Sequence, residues 1–416
     1  MSFIGWLDHS EAEQRQVREL LQLFADKGTV DDLGIGTIRD AISNQLFPGT
    51  SIIQTRARYF LFIPWIFQRA ESKHRHELVV RSELSERKLI EALRQAKDQD
   101  GLIGRQAGKD VRTLPSAIYW TGLAAYGIFL QPGLTRSQYG RAARNGPPVL
   151  DPEDELAERS PSYWHRALPH PPDGFFDFAS ADFHLTRDEA TWLSERVLST
   201  EPRRGPNLLG SYVRQLQSNA AVPTETFWAE PLPDDVSDDI RSLVHHAERF
   251  SCAVQGASLL YNLMLRFERA DAAKDDPEQV DALTSDLKLW ADGAKAVDLP
   301  AWCNDLQSFW GLIKRRTRIP LSTQTFVEGW CSLLRTQPLR DIAKNAEAQA
   351  LVRSRELQHK RSQARFNNPS RLRSWNGDSG LTPLEFRWSQ VRRFLLDLST
   401  GLHGAQAGKA GADAAH

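Results

Sequence analysis

Cysteine is scarce in this chain. Cys252, Cys303 and Cys331 are the only three in 416 residues; odd in number and widely spaced, they form neither a disulfide framework nor a zinc motif and fit a reducing compartment. Long apolar runs are lacking as well. The most apolar stretch, 59–67, has eight apolar residues of nine with Pro64 as the ninth, far short of the roughly 20 needed to span a bilayer. The opening MSFIGWLDHSE has no basic segment followed by a long apolar one, so no secretory leader is expected. Sustained two-residue alternation is missing, which removes the sheet that a restriction-type nuclease needs for its carboxylates and lysine. No nucleophile elbow, zinc-protease helix or paired histidine-lysine phosphodiesterase motif occurs.

What the chain has is helical periodicity and enough apolar mass to make a core: 41% hydrophobic residues, with 12 tryptophans and 19 phenylalanines. The spacing predicts a mainly α protein, a multi-helix bundle of two or three subdomains with long irregular loops. The segment 34–70 organises the rest. Thr37 with Asp40 predicts a capped helix over 36–46, ended by Phe47-Pro48-Gly49. The 59–67 run follows with no polar side, as expected of a buried helix, and Pro64 predicts a kink or restart near Ile63. Arg56, Arg58 and Arg69 flank it, with stems packed and heads in water; the sharper alternative is a phosphate groove beside aromatics.

Along the chain, composition divides it into an N-terminal helical domain (1–130), an irregular proline- and aromatic-rich connection (131–184), an acidic helical region (185–300), a basic helical region (301–402) and a disordered tail (403–416). Capping boxes at Ser10 and Thr186 open helices, and Gly256 is placed to divide a long helix reaching from Ser237 to about Ala270. The aromatics of the connection, among them Trp164, Phe175 and Phe183, predict packing rather than disorder.

Four segments resemble one family of bacterial proteins defined only as a domain of unknown function: MSFIGWLDHSE, LGIGTIRDAISNQLFPGTSIIQTRARYFLFIPWIF, RTLPSAIYWTGLAAYGIF and LEFRWSQVRRFLLDLSTGL. The resemblance covers nearly the whole chain. It implies a setting beside helicases and other phage-defence or DNA-processing proteins, and it transfers no active site.

The formal net charge of −1 conceals a segregation. Residues 1–150 hold 20 Lys+Arg against 16 Asp+Glu, 151–300 hold 14 against 28, and 301–400 hold 17 against 8. Lys314, Arg315, Arg316 and Arg318 fall within five positions, and Arg353, Arg355, Lys360, Arg361, Arg365, Arg371 and Arg373 face one acid, Glu356, with Phe366 and Trp375 interleaved. Basic side chains among aromatics suit a nucleic-acid backbone. The function expected is a non-catalytic nucleic-acid-binding accessory protein of the cytoplasm, taking DNA or RNA beside a helicase or nuclease, with no membrane, cofactor or metal. The alternatives are a structural adaptor binding a basic partner through the acidic middle region, and an unrecognised metal-dependent hydrolase using His165, His170, Asp173 and Asp177. GRQAGKD at 104–110 fails as a phosphate loop because three residues rather than four separate its glycines and Asp110 follows Lys109; Arg105, Lys109 and Arg112 remain as phosphate contacts from a loop. Residues 302–335 weakly resemble a helix-turn-helix with Thr323, Gln324 and Thr325 entering a groove.

Overall fold

The structure, a computed structural model, describes residues 31–146, 162–178, 181–218, 222–272 and 277–404. The helix expected after Ser10, the whole proline-rich 147–161 stretch and most of the 403–416 tail lie outside the described residues. Within them the protein is mainly α: α1 (Gly36–Leu46), α2 (Tyr59–His74), α3 (Leu78–Leu93), α4 (Pro115–Ala125), α5 (Arg136–Arg144), α6 (Arg187–Leu198), α7 (Glu201–Arg204) and α8 (Leu208–Ser218) are followed by α9 (Asp238–Ala272), α10 (Pro277–Ala296), α11 (Leu299–Trp302), α12 (Leu306–Ile313), α13 (Leu321–Thr336), α14 (Ala346–Lys360), α15 (Pro369–Arg373) and α16 (Trp388–His403). Sheet pairing among the described residues amounts to an isolated antiparallel bridge, Phe129 with Trp164.

Two compact units divide the chain, and neither is one continuous stretch: Ser43–Arg241 joins Arg387–His416, and Met1–Ile42 joins Ser242–Phe386. The boundaries drawn from composition at 130, 184 and 300 mark changes along the chain; the spatial division falls elsewhere.

The unit built on 43–241 is organised around α2. All nine residues of the 59–67 run are buried. Phe60 meets Tyr119 edge-on at 5.0 Å, and Trp65 meets Phe175 at 4.9 Å while its indole N–H donates to the Pro169 carbonyl at 2.6 Å. The aromatics of the expected connection therefore pack into this core. The expected restart at Pro64 does not occur, and α2 continues through it as one helix. An internal proline costs about 3 kcal/mol, and the packing of so many large side chains offsets that. Thr186 and Glu189 form the predicted capping box, with reciprocal bonds of 3.2 and 2.8 Å.

Glu86, on α3, is fully buried. Its two oxygens accept from the Ser116 backbone N–H and hydroxyl, both at 2.7 Å, at the start of α4. Burial nevertheless pushes this carboxyl up to about 7 from its ordinary 4.5. A carboxyl raised on folding binds more protons in the folded state, so it favours folding below pH about 4.5, and that contribution is lost as pH rises through about 7. The difference is worth roughly 3 kcal/mol. Glu86→Gln should remove this dependence. Urea melts across that window should show wild type losing stability relative to the variant as pH rises, and parallel pH profiles would contradict the assignment.

In the 242–386 unit, α1 begins differently from expectation. Asp31, rather than Thr37, caps it, accepting from the N–H groups of Ile35 and Gly36 at 2.7 Å each. The long helix α9 runs unbroken past Gly256. Its buried stripe includes Leu243, Ala247, Leu260 and Leu263 as predicted, whereas Phe267 is 52% exposed. The expected 300–315 helix is broken into α11 and α12, and the expected 338–362 helix starts as a 3₁₀ turn. The neighbouring Cys303 thiol and burial push the Cys331 thiol well up.

Candidate nucleic-acid interface

The first basic cluster sits where α12 ends and α13 begins. Phe309, Trp310 and Ile313 anchor α12 in the core, Ile319 and Phe326 anchor the chain again afterwards, and the residues between have no apolar side chain to bury. Lys314, Arg315, Arg316 and Arg318 are all exposed. The turn is held by Gln324, whose amide donates to the Ile319 carbonyl at 2.7 Å and accepts from the Lys314 ammonium at 2.6 Å. That ammonium also lies 5.0 Å from the centre of the Trp310 ring. A concavity of about 640 Å³ is lined by residues 314–321 and Gln324, with no carboxylate among them.

The second cluster divides into internal and outward-facing residues. Arg355 is only 4% exposed and donates to the carbonyls of Leu33 at 2.7 Å and Gly34 at 2.9 Å and to the Thr323 hydroxyl at 2.9 Å. Burial lowers its pKa below the ordinary arginine value. Lys360 and Arg365 both bond the buried carboxylate of Asp32, the second at 2.8 Å, and Arg365 also donates to the Tyr261 hydroxyl at 2.8 Å. Arg353 pairs with Glu268 and lies 4.3 Å from the Phe366 ring centre. Glu356, the one acid of this stretch, is fully buried and accepts from the Tyr261 hydroxyl and the Arg365 N–H, each at 2.7 Å. Arg355 is thus withdrawn from the interface that the sequence predicts, and Arg353, Lys360 and Arg365 carry internal partners. Arg361, Arg371 and Arg373 remain exposed, whereas Trp375 is buried and offers no stacking face.

The helix-turn-helix expectation is corrected by the same contacts. Thr323 is 3% exposed and donates to the Gly34 carbonyl at 3.1 Å, and Gln324 is engaged in the turn, so two of the three side chains meant for a groove are unavailable.

In the 43–241 unit, Arg105, Lys109 and Arg112 are exposed on a turn fastened to α3. The Lys109 N–H donates to Glu91 at 2.7 Å, and Arg87 donates to the Lys109 carbonyl. The glycines at 104 and 108, with φ of +82° and +56°, supply its left-handed positions. His165 accepts a 2.6 Å hydrogen bond from the Arg196 guanidinium at Nε2, and burial and that cation lower its pKa. No group of three or more His, Cys, Asp or Glu placed to hold a metal occurs among the described residues.

The sequence reading missed the charged floor of a second cleft in this unit. Arg56, 6% exposed, donates from Nε to both oxygens of Asp397 at 3.0 Å, from Nη1 to Asp98 at 2.6 Å and to the Asp100 carbonyl at 3.0 Å. Asp397 also accepts from the Ala57 N–H at 2.8 Å. Arg58 pairs in the same way with Asp182 and Glu189. Neither arginine head is in water, and neither is available for phosphate. The cleft above Arg56 encloses about 750 Å³, with Lys97, Asp98, Asp182 and Arg393 among its walls. Its lining acids and bases balance.

One family model, described as a family of unknown function (DUF6361), matches residues 1–401. No curated protein and no solved structure matches the chain. No helix among the described residues is long and apolar enough to cross a membrane.

Proposed function

We propose that this chain, which belongs to the DUF6361 family, is a non-catalytic nucleic-acid-binding protein that grips phosphates with Lys314, Arg315, Arg316 and Arg318. The observation that supports it is the concavity at this turn, where four exposed cations stand among the described lining residues, none of which is a carboxylate. Arg361, Arg371 and Arg373 add exposed charge in the same unit. The contacts available are to phosphate rather than to base edges, because Thr323 and Gln324 are engaged internally, so the binding is independent of sequence. On this reading the protein works in the cytoplasm as an accessory to a helicase or nuclease of a defence or DNA-processing system.

The test is binding of the purified chain to labelled single- and double-stranded DNA and to RNA at two salt concentrations. Neutralising about four phosphates gives a logarithmic salt slope of roughly −3. Replacing Lys314, Arg315, Arg316 and Arg318 together by alanine should weaken binding about tenfold or more at low salt, equally across sequences, and flatten that slope. Wild-type affinity and slope in the quadruple variant would end the proposal.

A further inference from the structure

Trp192 and Arg196 stand four residues apart on α6 and share one of its faces. The bridge between Phe129 and Trp164 brings His165 against them. Its backbone N–H donates to the Ile128 carbonyl at 2.8 Å, its ring meets the Trp192 ring edge-on at 5.8 Å, and its Nε2 lies 2.6 Å from Arg196 Nη1. A guanidinium has only donors, so Nε2 accepts, and the neutral ring carries its proton on Nδ1. Three N–H groups are then left in this corner without an acceptor among the described residues: His165 Nδ1, Arg196 Nε and the indole Nε1 of Trp192, a residue only 7% exposed. A buried donor without an acceptor has given up water and gained nothing in return.

The charges point the same way. Arg56, Arg58, Arg214 and Arg393 of the same unit each pair with a carboxylate, whereas the Arg196 guanidinium makes no ion pair with a described residue, and burial lowers its pKa below the ordinary arginine value. Glu195, next to it in sequence, is exposed and offsets that only in part. Arg203, on α7, is exposed and places Nη2 3.2 Å from where a Cβ at Gly127 would stand, one residue before the Ile128 carbonyl that holds His165. Donors beside two cations match a ligand that offers only acceptors and carries negative charge.

We propose that this corner binds a single phosphate group, of inorganic phosphate or of a small phosphate monoester. The Nε–Nη2 edge of Arg196 takes two of its oxygens, and Trp192 Nε1 and His165 Nδ1 complete the shell. Arg196 is half-buried on a long flexible stem, and a small turn of that stem opens the covered nitrogens. Such an opening admits the end of a small ligand and not a continuous nucleic-acid backbone. The site is separate from the basic turn and does not depend on it.

The experiment is calorimetric titration of the full chain with inorganic phosphate and, in a second arm, with glycerol 3-phosphate, at constant ionic strength in chloride. The expected result is saturable binding of one phosphate per chain; binding of inorganic phosphate alone assigns the free ion, and binding of both assigns a monoester end. Arg196→Met should weaken it about tenfold or more, and Trp192→Phe, which keeps most of the ring and removes the N–H, about threefold or more. Arg196→Met should leave the thermal midpoint in chloride unlowered, since no carboxylate loses its partner, and should abolish the rise in midpoint that phosphate gives the wild type. The chain with Lys314, Arg315, Arg316 and Arg318 replaced by alanine should bind phosphate as the wild type does. Saturation by neither ligand, affinity unchanged in both Arg196→Met and Trp192→Phe, or binding that disappears with the four basic-turn residues would each overturn the proposal.

Discussion

Replacing Asp397 by alanine is expected to destabilise the 43–241 unit by about 3–5 kcal/mol, the range for stranding one member of a buried ion pair. Asp397 is 8% exposed and receives the Nε and Nη2 groups of Arg56 together with the Ala57 N–H. Desolvation pushes its carboxyl up, and the Arg56 charge and these hydrogen bonds pull it back. Without it, Arg56 keeps Asp98 and the Asp100 carbonyl, but its buried Nε and Nη2 groups lose their carboxylate partner beside the Phe183 ring, whose centre is 4.6 Å from the guanidinium carbon. Asp397→Asn should cost less, since an amide oxygen still serves the Ala57 N–H. The exposed pair of Asp292 and Arg340 is the control, and Asp292→Ala should change stability by less than about 1 kcal/mol. Urea midpoints followed by tryptophan fluorescence decide the matter. An Asp397→Ala midpoint as close to wild type as that of Asp292→Ala would mean that Arg56 is not held as described.

The same pair marks the limit of what the sequence discloses. That 59–67 would be a core helix was legible, because nine residues without a polar side have no other stable place. Helix class, the Thr186 capping box and the buried faces of α3 and α9 were legible for the same reason: their signals are local. Arg56 and Asp397 stand 341 positions apart, and Arg355 and Leu33 322 apart, so nothing near either arginine announces its partner. The count of basic residues in 353–373 was therefore visible, but their division into internal and exposed members was not. Glu356 gave the only local hint: a lone acid among seven bases is placed to hold some of them inward. Asp31 as the cap of α1 was missed because Thr37 offered a better-known pattern, while the carboxylate reaches over a tight turn from outside it.

Gly256 carries the second large expectation, and it is one where a local rule misleads. Read alone, a glycine in a long helical pattern is a place to break it. In α9 it is a place for Trp290: a Cβ built at residue 256 would lie inside the indole, 2.7 Å from Cη2 and closer to Cζ2 and Cε2. The ring cannot readily retreat, being 5% exposed and tethered by its N–H to the Cys252 carbonyl at 2.7 Å. Gly256→Val should therefore cost the 242–386 unit about 3 kcal/mol by overpacking, with no compensation from helix propensity of the size alanine would bring. Trp290→Ala alone should cost about 3–5 kcal/mol through the cavity it leaves. The decisive quantity is the double variant. If valine and indole compete for one volume, the valine side chain occupies part of the cavity, and the combined loss falls short of the sum by at least about 1 kcal/mol. Strict additivity in urea denaturation would show that Gly256 acts on α9 through its backbone, and that the contact with Trp290 is not what requires glycine there.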